Sequence, residues 1–303
     1  MPTWRALLLS GFTGALLSLP APQQEDAFRI SVDVDLVVLH ATIREKDGRL
    51  APDLSEQDVE VWEDGVRQSI RFFSHEDSPV TVGLLVDHSG SIRDKLPAVV
   101  AASRDFVRSS HPLDQMFVVN FNEHVTLPQP DAAPFTSRPD ELARAITSAP
   151  ATGKTALYDA ILAAARRLRL GSLDKRALIV ISDGGDNASL HGLADVLKTA
   201  SLSSALIYTI GVFDSTDPDR NPGVLRQLAK ATGGEAFFPT GPVEITAACE
   251  RIARDLRQHY TISYVSSNQS RSGAYRSVRL VARQNGRKLY TRARAGYLAG
   301  GGR

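Results

Sequence analysis

Val80-Thr81-Val82-Gly83-Leu84-Leu85-Val86-Asp87-His88-Ser89-Gly90-Ser91 is the stretch on which the fold turns. Val80 to Val86 is almost wholly apolar, the pattern of a strand buried on both faces in the middle of a parallel sheet. Beyond it the chain becomes polar, with Asp87, Ser89 and Ser91 at alternate positions. A loop that turns residues i, i+2 and i+4 inward converges one carboxylate and two hydroxyls on a small cation. Such oxygen donors suit Mg²⁺, Mn²⁺ or Ca²⁺ and suit a soft metal poorly. Taken alone, the same residues equally describe an Asx-turn and a helix cap ahead of Asp94.

Downstream of this stretch, strand and helix patterns alternate. Asp94 to Ser110 has Leu96, Val99, Val100, Ala102, Phe106 and Val107 at helical spacing, and Met116 to Phe121 is the next strand. Helices follow at Pro139 to Ile146 and Ala156 to Leu168, then a strand at Ala177 to Ile181, a helix at Leu190 to Ala200 and a strand at Ala205 to Gly211. Asn221-Pro222 starts a helix over Gly223 to Ala231, which Gly233-Gly234 ends. A short strand at Ala236 to Phe238 and a helix at Val243 to Arg257 complete the run. This order predicts an α/β domain over 79–258, a doubly wound, mostly parallel sheet with helices on both faces. Its ligand crevice lies beyond the carboxyl ends of the strands.

The flanks are different. Residues 28–78 read as β: alternation from Phe28 to Ile43, a turn at Lys46 to Arg49, a strand over Val59 to Val66 entering the Asp64-Gly65 turn, and another from Ser69 to Phe73. Residues 259–298 return to β at Thr261 to Val265, Ser277 to Val281 and Lys288 to Arg292, with Ser266 to Gly273 as an exposed polar loop. Neither flank offers much core alone, so the two are expected to pair or pack together as a small β subdomain.

Two more loops fall on the same expected edge of the sheet. Thr155 follows Ala151-Thr152-Gly153-Lys154 ahead of a helix, where a plain N-cap is the simple reading. Asp183 ends a core strand at Ser182-Asp183-Gly184, where a turn would suffice. Together with Asp87, Ser89 and Ser91 they supply a complete set of oxygen donors. This combination resembles the metal-ion-dependent adhesion site of von Willebrand factor type A domains. Asp87, Ser89 and Ser91 match its first motif, Thr155 its second and Asp183 its third, over about Val80 to Arg257. The resemblance implies a Rossmann-like fold. It also implies a divalent cation approached directly by the hydroxyls, the aspartates acting directly or through water, and an open position filled by an Asp or Glu of a protein partner. The wider chain is similar to a group of exported proteins from acidobacterial genomes. That similarity runs through Glu56 to Phe73, Thr232-Gly233-Gly234, Tyr260 to Tyr264 and Arg294 to Tyr297.

Other signals do not hold. Gly153-Lys154-Thr155 looks like the end of a phosphate-binding loop, but Ser148 stands where its opening glycine belongs. Asp217-x-Asp219-x-Asn221 has Pro222 at the sharp-turn glycine and Leu228 at the bidentate Glu of a calcium loop. A metal-assisted hydrolase of the haloacid dehalogenase type would need a second carboxylate where Ser89 stands. No Gly-x-Ser-x-Gly elbow surrounds Ser89 or Ser91, and His88 and His124 read as satisfied loop histidines. Arg166-Arg167-Leu168-Arg169 reads as the solvated side of a helix.

Composition is that of an ordinary globular protein. The 303 residues are 43% apolar and 23% charged, with a formal charge of +1, so no overall field attracts nucleic acid or a membrane surface. Cys249 is the single cysteine, a packed residue that excludes an internal disulfide. Residues 1–21, with Arg5, apolar Ala6 to Leu19 and Leu19-Pro20-Ala21, read as a signal peptide for a periplasmic or secreted chain, and no later stretch is apolar enough to span a bilayer. The resemblance, with these readings beside it, implies a non-enzymatic, metal-dependent adhesion domain. The alternatives are a closed metal site serving as scaffold and, behind it, the hydrolase.

Overall fold

The structure is a computed structural model that describes residues 36–51, 53–213 and 218–300; the signal-peptide reading at 1–21, the strand start at Phe28 and Asp217 lie outside these. In chain order the strands and helices are β1 (Leu36–Arg44), β2 (Val59–Glu63), β3 (Val66–Gln68), β4 (Ile70–Ser74), β5 (Val80–Asp87), α1 (Leu96–Ser109), β6 (Gln115–Phe121) and β7 (Val125–Thr126). They continue as α2 (Pro139–Ile146), α3 (Leu157–Leu168), β8 (Lys175–Ser182), α4 (Leu193–Leu202), β9 (Leu206–Gly211), α5 (Pro222–Thr232), β10 (Ala236–Phe237) and α6 (Pro242–Arg257). The last strands are β11 (Tyr260–Val265), β12 (Tyr275–Gln284), β13 (Arg287–Lys288), β14 (Tyr290–Arg292) and β15 (Gly296–Leu298).

Every residue of β5 is buried, as its apolar run requires. It pairs in parallel with β6 on one side and β8 on the other, in a sheet ordered β10-β9-β8-β5-β6-β7 in which, among the described residues, the edge strand β7 alone is antiparallel. One face is covered by α1, α2 and α6 through Phe106, Leu142, Ile146 and Ile252; the other by α3, α4 and α5 through Leu157, Ile161, Val196 and Leu228. Truncating such a fully buried Leu or Ile to Ala costs about 2–5 kcal/mol. The chain leaves β5 for β6 on one side and returns to β8 on the other. The carboxyl ends of β5 and β8 therefore flank the point where winding reverses, the crevice of doubly wound sheets.

The flanking segments pair as expected. β1 and β4 both bond antiparallel to β11, and β2 bonds to β12. The resulting sheets, β14-β1-β11-β4 and β13-β12-β2-β3 with β15 on β12, share a core of Leu39, Ile43, Val61, Ile262, Tyr264 and Leu280. Neither flank would own that core alone.

Several local expectations shift. The first helix begins at Leu96 rather than Asp94, behind a 3-10 turn over Gly90–Lys95, because Pro97 has no N–H to bond one turn back. The fourth begins at Leu193 rather than Leu190. The N–H groups of Leu190 and His191 go to the Asp159 carboxylate, and Gly192 donates to Asp195. Arg167 is not on a solvated side; it is 8% exposed and paired with Asp131 at 2.7 Å. The loop after β11 starts buried, with Ser266 bonded to Glu63. His88 is fully buried rather than a loop surface residue, its ring facing Asn120 and the backbone of Ile146 and Ala149 without close hydrogen-bond geometry; burial, outweighing these neighbours, holds its pKa below the usual value. Cys249 packs inside α6, and burial pushes its thiol up to about 12, which leaves it inert.

Candidate metal centre

Asp87 closes β5 with no exposed surface. One carboxylate oxygen accepts the Ser89 N–H at 2.8 Å, so the Asx-turn anticipated for this loop is present. The other accepts the hydroxyl of Ser182, the last residue of β8, at 2.6 Å. Ser182 was not singled out from sequence. Its place beside Asp183 at the end of a strand parallel to β5 is the only cue. Burial raises the Asp87 pKa to about 6 against the lowering effect of these donors, and the nearby charge of Asp183 adds to the rise.

From Asp87 the oxygens run outward as a chain. The Ser89 and Ser91 hydroxyls lie 3.1 Å apart, and Ser91 donates to Asp183 at 2.6 Å. The second Asp183 oxygen accepts the Gly185 N–H at 2.8 Å. Gly184 makes this turn with φ +85°, and a Cβ there would strike the Asn221 carbonyl. Ser89 begins the 3-10 turn without a side-chain cap bond. Its hydroxyl is therefore not spent on capping.

Thr155 comes from a third loop. That loop is tied to the first by Thr152 N–H to the His88 carbonyl at 2.7 Å and Gly90 N–H to the Gly153 carbonyl at 3.3 Å. Thr155 is buried, and it is not the cap of α3, whose cap position is Ala156. Its backbone is clamped by Asn187, which accepts the Thr155 N–H at 2.9 Å and returns its own N–H at 3.0 Å. Glu123 accepts the Lys154 N–H at 2.7 Å and lies where a Cβ on Gly153 would go. Asn187 and Glu123 both escaped the sequence reading, because their role depends on loops far apart in the chain.

The structure thus joins Asp87, Ser89, Ser91 and Asp183 through hydrogen bonds and fastens the Thr155 loop beside them. The two serine hydroxyls face each other and Asp183 rather than an imidazole, and the His191 ring pairs with Asp159 at 2.6 Å. Among the described residues no group of three or more His, Cys, Asp and Glu side chains gathers as a metal cluster. The five residues include only two carboxylates, and the other donors are hydroxyls. That donor set fits a hard divalent cation, with two formal negative charges to balance it, and does not fit a thiolate- or imidazole-seeking metal.

Residues 82–244 match the von Willebrand factor type A domain. The chain belongs to that family. Among solved structures it is similar to a von Willebrand factor type A protein from Catenulispora acidiphila, at 14% identity and a TM-score of 0.50, over 89% of this chain and 75% of that one. It is also similar to the von Willebrand factor domain of the type V pili tip protein Mfa5 from Porphyromonas gingivalis. That match has 14% identity and a TM-score of 0.50, over 60% of this chain and 95% of that one. An aerotolerance-related membrane protein from Bacteroides fragilis aligns at 18% identity and a TM-score of 0.47, over 59% and 98% of the respective chains. At these identities the likeness is one of fold. No curated protein matches the chain. No helix among the described residues is long and apolar enough to cross a membrane.

Proposed function

We propose that this von Willebrand factor type A domain is a divalent-metal-dependent protein-binding module of an exported bacterial protein, of the kind the acidobacterial resemblance suggests. Asp87, Ser89, Ser91, Thr155 and Asp183 hold Mg²⁺, or Mn²⁺ or Ca²⁺ in its place, and an Asp or Glu carboxylate of the partner completes the site. The observation that carries this reading is the fate of the hydroxyls. Ser89 and Thr155 stand where helix caps are expected, yet neither acts as a side-chain cap, and Ser89, Ser91 and Asp183 form a continuous line of oxygens across two loops. When bound, the cation supplies the positive charge that a partner's carboxylate recognises. The chain's own residues keep that position shaped: Ser182 and Gly185 orient the carboxylates, and Asn187 fixes Thr155.

An open site is favoured over a closed scaffold. Ser91 is exposed, whereas Asp87, Ser89, Thr155 and Asp183 are buried, so the oxygen line runs from the interior to the surface. Calorimetric titration with Mg²⁺ tests the assignment. Wild type binds one ion and Asp87→Ala does not; equal binding by both would remove the site. Partner capture from envelope extract in Mg²⁺ and in chelator then tests adhesion, with unchanged recovery counting against it.

A further inference from the structure

The overall charge of +1 conceals a division of the chain. From residue 256 onward there are ten Lys and Arg and no Asp or Glu, leaving 25 Lys and Arg against 34 Asp and Glu in the rest. Such asymmetry points to an anionic partner once internal pairing is subtracted. Arg276 is taken up by Glu63, Arg292 by Glu235 and Asp255, and Arg294 by the carbonyls of Gly296 and Ser201. Arg279, Arg283, Arg287 and Lys288 remain exposed along β12 and β13, without a carboxylate partner among the described residues.

Arg279 meets two more exposed cations, Arg226 and Lys230 of α5, around a cleft of about 680 Å³ walled by Phe238, Leu280 and Ala293. Both guanidinium groups rest on aromatic rings: Arg226 lies 4.4 Å from the centroid of Phe238 and Arg279 5.1 Å from that of Trp62. Each cation is thus held over a ring and, among the described residues, has no carboxylate partner, so both guanidinium groups can meet carboxylates of another chain. They also occupy the ring faces on which nucleobases would stack, which disfavours single-stranded nucleic acid. The apolar wall between the cations favours a polypeptide over a simple anion.

We propose that this cleft docks an acidic, partly apolar segment of a partner protein, independently of any metal. Arg226, Lys230 and Arg279 grip its carboxylates, and Phe238 and Leu280 receive an aliphatic side chain between them. The test is fluorescence anisotropy with the full chain in EDTA, which silences the metal loops. The probe is a labelled peptide of about ten residues in which Glu alternates with Leu and Ala. Binding is expected in EDTA, to weaken with salt, and to fall about tenfold or more when Arg226, Lys230 and Arg279 are all changed to Glu. Arg144→Glu, at an exposed cation on α2, should leave it unchanged. Should the triple variant unfold, Arg279→Gln alone must still weaken the peptide. The proposal is overturned by absence of binding in EDTA, by full affinity in either variant, or by oligothymidylate or polyphosphate displacing the peptide at lower concentration than unlabelled peptide does.

Discussion

Asp87 and Glu63 are both buried carboxylates, 0% and 2% exposed, and the chain treats them in opposite ways. Glu63 ends β2 inside the paired β segments and is fully answered. It receives Arg276 at 3.2 Å and the hydroxyls of Tyr264, Tyr297 and Ser266 at 2.8, 2.8 and 2.5 Å. Asp87 ends β5 at the crevice and receives one hydroxyl and one N–H, with no Lys or Arg in ion-pair reach among the described residues. Burying a charge without a counter-charge is costly. The β segments answer that cost with a counter-charge of the chain, while at the crevice one hydroxyl and one amide face the carboxylate, the arrangement on which the proposed cation site rests.

The sharpest way to break this contrast is at Glu63. Glu63→Ala strands Arg276, itself 6% exposed at the side chain, and removes the acceptor of three hydroxyls. The expected loss is about 3–5 kcal/mol in urea unfolding. A loss below about 1 kcal/mol would mean that the network is not integral to the fold.

Among the described residues, a buried histidine of β1 meets cations without an answering carboxylate. Burial, then the charges of Lys175 and Arg294, lowers the His40 pKa to about 4 from 6.5. The unfolded chain takes up this proton below about pH 6.5 and the folded chain refuses it until about pH 4. Stability is therefore complete above 6.5 and falls as pH drops through that window, by about 3 kcal/mol. Asp87, raised to about 6, contributes with the opposite sign over part of the range, so the measurement is a difference. His40→Gln should flatten the wild-type slope between pH 6.5 and 4. Parallel pH profiles would show that His40 already titrates normally.

At the crevice the expected effect appears only with metal. At a Mg²⁺ concentration a hundred times its Kd, wild type gains about 2.7 kcal/mol, a rise visible in thermal unfolding. Asp87→Asn, which keeps the shape and loses the charge, should gain nothing and be no less stable than wild type in chelator by more than about 1 kcal/mol. A variant as destabilised as Glu63→Ala in chelator would place Asp87 among the structural carboxylates and erase the distinction.

How much of this was legible in sequence follows from the same division. Asp87, Ser89, Ser91, Thr155 and Asp183 were readable as candidates because they lie beside the ends of strongly periodic elements, which the strand and helix periods place on one edge, and because their order matches the family's motif; their role toward a cation is the proposal made above. Ser182, Asn187 and Glu123 could not, since each acts on a residue of another loop and carries no local pattern. The pairing of the two flanks was foreseeable from their thin cores, but the Glu63–Arg276 network was not. Alternation puts Glu63 on the inward face with Val59 and Val61, but what answers a carboxylate there depends on the pairing of β2 with β12, which brings up Arg276. The burial of Arg167 was missed for the same reason: its partner Asp131 lies in a loop that sequence leaves unplaced.

At Thr155 a donor oxygen can be told apart from a packed side chain. Thr155 is held through its backbone by Asn187, so its side chain can change without releasing the loop. Thr155→Val keeps the branched shape and discards the hydroxyl; Thr155→Ser keeps the hydroxyl and discards the methyl. If the oxygen serves the cation, Val should weaken Mg²⁺ about tenfold, or ~1.4 kcal/mol, and Ser should stay within about twofold. Equal weakening by both would assign Thr155 to packing. The proposed cation would then rest on the donors of two loops alone, Asp87, Ser89, Ser91 and Asp183.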